Sequence, residues 1–249
     1  MSEFSGKTIL ITGATGGLGE ACARLLAGEG ARLVLTARNA GALQTLSTAL
    51  GEGHRVFPLD LSDPRNIAPV FREILSACGP LSGMVYCAGT AGTRPLSALN
   101  PDALSEVMDL NFASFVECCR LLCKKGNFKA PCSIVGISSV SSLQGNNAKT
   151  AYCASKAAMD AAVRCLAKEV CDKGIRVNTV LPGLVRTQMY EHLKETMGEE
   201  VGFQEIMRRQ YLGVGAPQDV AQAVLFLLSE RSASCTGTGL HLDGGRLST

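Results

Sequence analysis

The sequence predicts an α/β fold in which helices cover both faces of a parallel, seven-stranded sheet. Short runs rich in β-branched residues alternate with longer segments of helical spacing. That alternation implies right-handed crossovers between parallel strands. No linker, repeat or low-complexity tract divides the 249 residues, of which 46% are hydrophobic. We therefore expect one doubly wound domain over residues 1–249, with a single continuous sheet.

The elements of this fold follow from the local pattern and from glycine and proline punctuation. The predicted strands are residues 8–12, 32–36, 55–58, 83–87, 133–137, 176–181 and 240–242. The predicted helices lie near residues 17–27, 40–50, 65–78, 102–125, 151–173 and 217–228. Residues 186–215 are helix-prone but interrupted and follow a strand end, so we predict a substrate lid there.

Composition and charge exclude several classes of function. The formal net charge is +2, and no cluster of Lys and Arg marks a surface for nucleic acid or an anionic membrane. The amino terminus lacks a basic segment followed by an apolar run, and no stretch reaches the ~18 apolar residues that span a bilayer. We expect a cytoplasmic protein with no nucleic-acid or membrane partner.

Eleven cysteines are scattered through the chain without the spacing of a disulfide framework. Several lie beside apolar residues in predicted helices, where a free cysteine behaves as a small hydrophobe. Cys119 and Cys123 could share a helical face as metal ligands, but no histidine lies nearby. We expect reduced cysteines and no metal site.

A glycine-rich turn between the first strand and the first helix is typical of dinucleotide binding. Glycine permits a tight turn and a close approach of the backbone to a diphosphate, and the helix amino terminus supplies free N–H donors. A turn of this kind without a ligand is the alternative. The residues expected to contact the cofactor here are Gly13, Thr15, Gly17, Leu18 and Gly19.

The spacing of these glycines resembles that of the short-chain dehydrogenase/reductase family, and further motifs of that family follow in order. They are Asp60-Leu61, Ala88-Gly89, Asn111, Ser139, Tyr152-x-x-x-Lys156, Pro182-Gly183-Leu184-Val185-Arg186-Thr187 and Leu242-Asp243-Gly244-Gly245. The match covers essentially the whole chain. It implies a Rossmann fold, a nicotinamide dinucleotide cofactor and a homotetramer. Residues 216–221 and 236–245 are most similar to the β-ketoacyl-acyl carrier protein reductase subgroup.

Tyr152 and Lys156 stand four residues apart, which places them on one face of a predicted helix. Reduction of a carbonyl needs a proton donor, and a phenol of pKa about 10 is a poor one unless its anion is stabilised. We expect the Lys156 ammonium to lower the pKa of Tyr152. An ordinary surface pair is the alternative.

Two further catalytic residues are implied by the resemblance. Ser139 would hydrogen-bond the substrate oxygen, with Ser138 as the competing candidate and as the residue expected to bond the backbone. Asn111, in an apolar helical segment, would shape a water chain from Lys156; a satisfied core amide is the alternative.

The resemblance also assigns cofactor contacts after other strands of the predicted sheet. Asp60 and Leu61 would contact the adenine, and Ala88 and Gly89 follow the fourth strand. The remaining expected contacts are Tyr152 and Lys156, Pro182 and Gly183 bending over the nicotinamide, and Val185 and Thr187 holding its carboxamide.

Arg38 decides which cofactor the sequence predicts. The adenosine ribose lies at the end of the second strand, where a carboxylate would accept the ribose hydroxyls of NAD. No acid stands between Arg32 and Asn39, and Arg38 can bind a 2′-phosphate with charge-assisted hydrogen bonds. We therefore predict NADP(H), with a solvated turn arginine as the alternative.

Together these features predict an NADPH-dependent reductase of a ketone or 3-oxoacyl carbonyl, acting on a small molecule or an acyl thioester. A dehydrogenase working in the oxidative direction on an alcohol, hydroxysteroid or sugar is the alternative enzyme. A catalytically silent dinucleotide-binding regulator is the alternative outside enzymes. Tyr86, Cys87 and Gly136 replace residues usual in the family, so we expect other contacts to join the central strands there.

Overall fold

A sheet of seven parallel strands forms the centre of the protein in a computed structural model that describes residues 2–197 and 207–248. The sheet order is β3-β2-β1-β4-β5-β6-β7. Chain order reverses between β1 and β4, and such a switch point leaves a crevice at the carboxyl ends of the strands. The strands are β1 Thr8–Thr12, β2 Arg32–Ala37, β3 Arg55–Pro58, β4 Leu81–Tyr86, β5 Phe128–Ile137, β6 Ile175–Pro182 and β7 Gly239–Leu242.

Helices cover both faces of the sheet, as the sequence predicts. In the described part of the chain they are α1 Gly17–Gly28, α2 Ala40–Leu50, α3 Ile67–Cys78, α4 Pro101–Met108, α5 Ser114–Leu122, α6 Thr150–Val170, α7 Gln188–Met197 and α8 Pro217–Leu228. The apolar faces of α1, α2 and α8 form one buried core with the sheet. Those of α3, α5 and α6 form the second. The fold is therefore a single-domain, doubly wound Rossmann-type sheet.

The single helix predicted over residues 102–125 is wrong, because a π-helical turn at Asp109–Ala113 separates α4 from α5. A π turn changes the carbonyl bonding along a helix, and such turns often occur at functional sites. Here the Leu110 carbonyl accepts a hydrogen bond from the Tyr86 hydroxyl at 2.6 Å. The turn also contains Asn111, whose side chain is buried.

An aromatic pair packs at the positions where the sequence departs from the family that it resembles. Tyr86 is fully buried at the end of β4, and its ring meets Phe115 edge to face, with centroids 5.5 Å apart. Gly136 is its partner in β5. A Cβ at Gly136 would lie 3.1 Å from Met159 Sδ and 3.3 Å from Phe115 Cε2. The large ring of Tyr86 in β4 thus stands opposite a glycine, Gly136, in β5.

Replacement of Tyr86 by Phe should destabilise the fold by about 1–3 kcal/mol, because the buried Leu110 carbonyl would lose its donor. Chemical denaturation measures the free energy of unfolding directly. Tyr211→Phe is the matched control, since Tyr211 is exposed and its hydroxyl should contribute little. Equal stability of the two variants would show that the hydrogen bond to Leu110 is dispensable.

Candidate active site

A cleft of about 670 Å³ opens at the carboxyl ends of the central strands. Its volume lies within the range of small-molecule and cofactor sites. The wall combines the glycine turn, the segment after β5, the start of α6 and the segment after β6. Residues predicted for the site that line it are Gly13, Gly17, Leu18, Gly19, Gly89, Ser139, Tyr152, Lys156, Pro182, Gly183, Val185 and Thr187.

The glycine turn requires glycine for steric reasons. Gly13 has φ of 61°, and a Cβ there would lie 2.8 Å from the Ala88 backbone nitrogen. A Cβ on Gly19 would approach the Gly13 carbonyl oxygen to 2.2 Å. The turn leads directly into α1, whose first residue is Gly17 and whose start has no side-chain cap. The first N–H groups of this 12-residue helix can therefore bind an anion such as a diphosphate.

Other predicted cofactor residues continue the same edge of the sheet outside the cleft wall. Arg38 follows β2 and is exposed, and it has no ion pair among residues 2–197 and 207–248. The Ala14 amide donates to the Thr36 carbonyl at 3.0 Å, which fixes the glycine turn beside the end of β2. Thr15, half-buried, lies within the turn.

Asp60 and Leu61 follow β3, the next strand along the edge. Asp60 is exposed, and its Oδ1 accepts from the Ser62 amide at 2.9 Å. Leu61 is buried, and its carbonyl accepts from the Ser114 hydroxyl at 2.6 Å. Ala88 donates its amide to Thr12 Oγ1 at 3.3 Å, which joins the ends of β4 and β1. These residues form a continuous border from the glycine turn to β3.

Ser139 and Tyr152 both line the cleft, and hydrogen bonding from Ser139 favours the charged form of the Tyr152 phenol and so acts to lower its pKa. Ser139 caps a short turn after β5, where its Oγ also accepts from the Ser141 amide at 3.1 Å. Ser138, by contrast, donates to the Lys156 carbonyl at 3.4 Å and so bonds the backbone. The geometry thus places the Ser139 hydroxyl, and not that of Ser138, beside the phenol.

Lys156 lies one helical turn beyond Tyr152 and is buried. Its Nζ donates to the Ile137 carbonyl at 2.7 Å and lies 5.8 Å from the centre of the Tyr152 ring. Burial lowers the pKa of Lys156 to about 8, although Asp160 and Cys87 favour its charged form. Lys156 is therefore mostly protonated at neutral pH and loses its proton as the pH rises through about 8.

The expected lowering of the Tyr152 pKa is not found. Burial raises the pKa of the phenol, and the hydrogen bond with Ser139 only partly opposes this. A nearby positive charge favours the tyrosinate, but burial disfavours this anion, and burial is the larger of the two effects here. Tyr152 accordingly keeps its proton at neutral pH.

Asn111 makes a complete set of hydrogen bonds between the end of β4 and α6. Its Oδ1 accepts from the Thr90 amide at 2.8 Å. Its Nδ2 donates to the Thr90 carbonyl at 2.9 Å and to Ser155 Oγ at 3.0 Å. A Cβ added to Gly89 would lie 3.1 Å from Asn111 Oδ1 and 3.5 Å from Lys156 Nζ. The amide and the ammonium therefore border the same small space.

The segment after β6 folds back over the glycine turn. Gly183 donates its amide to the Leu242 carbonyl at 3.0 Å, and Pro182 pairs with Leu242 across the sheet. The Thr187 hydroxyl donates to the Val185 carbonyl at 3.3 Å. A Cβ on Gly17 would lie 3.1 Å from Thr187 Cγ2. This contact closes one end of the cleft.

The predicted lid, residues 186–215, includes α7 and residues 207–215, while residues 198–206 lie outside the described part of the chain. Its two ends meet, because the Arg186 amide donates to the Gly215 carbonyl at 3.0 Å. Gln210, buried beneath them, donates through Nε2 to the carbonyls of Leu184 at 3.0 Å and Gly213 at 2.6 Å. The base of the segment is therefore fixed to the end of β6.

Sequence reasoning missed several polar residues of the cleft wall, among them Gln144, Lys149, Arg209 and Arg246. Lys149 stands three residues before Tyr152, and that proximity could have drawn attention to it. The others belong to no motif. They reach the cleft only because the segment after β5, the second part of the predicted lid and the carboxyl terminus converge there.

Within residues 2–197 and 207–248, no three His, Cys, Asp or Glu side chains gather as ligands for a metal ion. No helix there is both long and apolar enough to span a membrane. All eleven cysteines are free thiols, and the two candidates for metal binding, Cys119 and Cys123, have raised pKa values because they are buried.

Comparison with known proteins agrees with the fold and the arrangement of this cleft. A family model described as enoyl-(acyl carrier protein) reductase matches residues 13–246. The chain is 33% identical to a 3-oxoacyl-[acyl-carrier-protein] reductase of Rickettsia conorii, over 99% of both chains. It is 31% identical to the enzyme of that name from Escherichia coli, over 98% of both chains.

These matches, the parallel sheet and the glycine turn define an oxidoreductase of the Rossmann type. The chain belongs to the short-chain dehydrogenase/reductase family. Within that family it is similar to the 3-oxoacyl-[acyl-carrier-protein] reductases.

Proposed function

We propose that the protein is an NADP(H)-dependent reductase that converts a ketone or a 3-oxoacyl carbonyl to a secondary alcohol. The observation that carries this proposal is that Ser139, Tyr152 and Lys156 line one cleft with the glycine turn, with Lys156 Nζ 5.8 Å from the centre of the Tyr152 ring. This arrangement offers a proton donor and a second hydroxyl to a single carbonyl oxygen.

The chain's own residues would handle the proton. A carbonyl oxygen beside Tyr152 and Ser139 would accept hydrogen bonds from both hydroxyls, and Tyr152 would transfer its proton as the alkoxide forms. The positive charge of Lys156 would stabilise the tyrosinate left behind. Asn111 would position the loop at Thr90 and the adjoining part of α6 around Lys156. Tyr152, retaining its proton at neutral pH, is suited to act as the acid.

The residues present fit a nicotinamide dinucleotide, which would supply the hydride when bound. The uncapped start of α1, with Gly13, Thr15, Gly17, Leu18 and Gly19 around it, would hold the diphosphate. Arg38 would bind the 2′-phosphate. Asp60 and Leu61 would border the adenine, Ala88 and Gly89 the ribose side, and Pro182, Gly183, Val185 and Thr187 the nicotinamide.

The pH profile should report on Lys156. We expect kcat/KM for reduction of a neutral ketone to fall as the pH rises through about 8, because the Lys156 ammonium then loses its proton. Tyr152, with a raised pKa, stays protonated over this range. Lys156→Arg should move the fall to higher pH, since a guanidinium stays charged. Asp160→Asn should move it to lower pH.

Steady-state rates between about pH 6 and 10 measure both shifts. An unchanged profile in Lys156→Arg would assign the fall to another group.

The names of the relatives, 3-oxoacyl-[acyl-carrier-protein] reductases, support a 3-oxoacyl carbonyl as the substrate, whereas the family model is described by enoyl reduction. Reduction of a carbonyl places negative charge on an oxygen, and paired hydroxyls stabilise charge there. NADPH oxidation with a 3-oxoacyl thioester and with the corresponding enoyl thioester separates the two. Faster turnover of the enoyl thioester would contradict the proposal. If neither thioester and no simple ketone is reduced, a silent cofactor-binding protein would be favoured.

We also propose a cytoplasmic homotetramer. The strand β7 lies at the edge of the sheet, and α6 presents small residues, including Ala154 and Ala161, to the surface. An exposed edge strand and a helix that permits close approach suit the two interfaces of a symmetric tetramer. Light scattering at micromolar concentration tests this assembly, and a monomer would contradict it.

A further inference from the structure

The backbone that leaves β6 changes its hydrogen-bond partner at Leu184. Pro182, the last residue of β6, pairs with Leu242 of β7, and the Gly183 amide donates to the Leu242 carbonyl at 3.0 Å. Leu242 is also the last residue of β7, so this pairing ends there. The amide and carbonyl of Leu184 therefore need partners from another part of the chain.

The side chain of Gln210 supplies a partner to both groups of Leu184. Its Oε1 accepts from the Leu184 amide at 2.8 Å, and its Nε2 donates to the Leu184 carbonyl at 3.0 Å. Nε2 also donates to the Gly213 carbonyl at 2.6 Å. A primary amide offers the same kinds of donor and acceptor as a peptide unit. Gln210 therefore takes the place of a neighbouring strand where β7 has ended.

Gln210 is enclosed between two glycines that follow different strands. Only 4% of its surface is exposed. A Cβ on Gly183, after β6, would overlap Gln210 Oε1. A Cβ on Gly244, after β7, would lie 2.6 Å from Gln210 Cγ, and the φ of 58° at Gly244 also favours glycine. The space between the two glycines thus restricts the Gln210 amide to one orientation.

The hydrogen bonds at Leu184 continue into the wall of the cleft. The Gly215 amide donates to the same Leu184 carbonyl at 3.0 Å, and Val185 forms a parallel bridge with Gly215. Leu184, Val185 and Thr187 all line the cleft. Gln210 is not part of the cleft lining, so its effect on a bound molecule must pass through Leu184.

We propose that Gln210 is a positioning residue for the nicotinamide half of the cofactor. It fixes the Leu184 backbone and, through it, Val185 and Thr187, which follow within three positions and would hold the carboxamide. Without the Gln210 amide, the Leu184 peptide groups would be free to rotate and both residues would move with them. This inference rests on the proposed function, which supplies the dinucleotide. The glycine turn and Arg38 would bind the phosphates independently of Gln210.

Two ligands test this role: NADPH, and adenosine 2′,5′-bisphosphate, which has the adenosine and the 2′-phosphate but no nicotinamide. Gln210→Met keeps the length of the side chain and removes its hydrogen bonds to Leu184 and Gly213. We expect the Kd for NADPH to rise about tenfold, the effect of one lost hydrogen bond, and the Kd for the bisphosphate to change by less than about twofold. Calorimetry measures both Kd values without turnover.

Ser133→Ala is the matched control. Ser133 is also buried and its hydroxyl donates to the Leu227 carbonyl at 2.8 Å, but it does not line the cleft. This variant should lose stability, as Gln210→Met should, and keep both Kd values. Only Gln210→Met should lower kcat at saturating NADPH, by roughly ten- to a hundredfold, because the nicotinamide is displaced from the carbonyl. If Gln210→Met does not fold, Gln210→Asn decides the question, since its amide is one carbon too short to reach both groups of Leu184.

Equal weakening of both ligands, or an unchanged Kd for NADPH in the folded Gln210 variant, would overturn the proposal. So would the same selective loss of NADPH affinity in Ser133→Ala, since the effect would then follow from lower stability alone. If the wild type binds NADPH but reduces no ketone, a selective loss in Gln210→Met would reject the proposed reduction and keep the role of Gln210. Ketone reduction by the wild type without a selective loss in the variant would do the reverse. A wild type that does not bind NADPH would overturn both.

Discussion

Replacement of Tyr152 by Phe should lower kcat for ketone reduction by at least about a hundredfold, the usual contribution of a positioned general acid. The variant removes one hydroxyl from a half-buried ring and keeps the ring itself. Ser139 would remain, but it is a much weaker acid than a phenol. NADPH affinity should stay nearly unchanged, because the lost proton takes part in turnover and not in binding of the cofactor's diphosphate.

Two measurements separate this result from misfolding. NADPH fluorescence titration gives the Kd of the variant, and circular dichroism gives its thermal stability. Tyr211→Phe, at an exposed position outside the cleft wall, should keep wild-type kcat. Retention of a tenth or more of wild-type kcat in Tyr152→Phe would remove Tyr152 from the role of proton donor.

The wild type should prefer NADPH over NADH by at least about tenfold in kcat/KM, and Arg38→Asp should reverse that order. A charge-assisted hydrogen bond of about 1.5–3 kcal/mol corresponds to a ten- to hundredfold preference. The aspartate would both remove the partner of the 2′-phosphate and repel it, while it could accept the ribose hydroxyls of NADH. Steady-state kinetics with each cofactor at one fixed ketone concentration measures the ratio.

Arg32→Asp provides the matched control for this experiment. Arg32 is also exposed, but it lies at the amino end of β2, whereas Arg38 follows the carboxyl end of that strand beside the glycine turn. The same change of charge there should leave the ratio of NADPH to NADH nearly constant. Equal use of both cofactors by the wild type, or a preserved preference for NADPH in Arg38→Asp, would show that Arg38 does not bind the 2′-phosphate.

Much of the fold could be predicted because its determinants are local. Alternation of strands and helices depends on residue periodicity, and the steric need for Gly13 and Gly19 is visible in their spacing. The helix predicted over residues 102–125 failed for a non-local reason. The π turn that interrupts it contains the Leu110 carbonyl, which accepts a hydrogen bond from the Tyr86 hydroxyl. Tyr86 lies more than twenty positions away in the sequence, at the end of β4.

For the candidate site, too, some features could be predicted from the sequence and others could not. By itself the sequence determined which residues we propose as catalytic, since Tyr152, Lys156, Ser139 and Asn111 stand in motifs with fixed spacing and order. Only the tertiary structure decided their protonation, because burial raises the pKa of Tyr152 and lowers that of Lys156, and burial depends on every element packed around them. The tertiary structure alone also brought Lys149, Arg209 and Arg246 to the lining of one cleft, because residues far apart in the chain come together only when the sheet orders its strands.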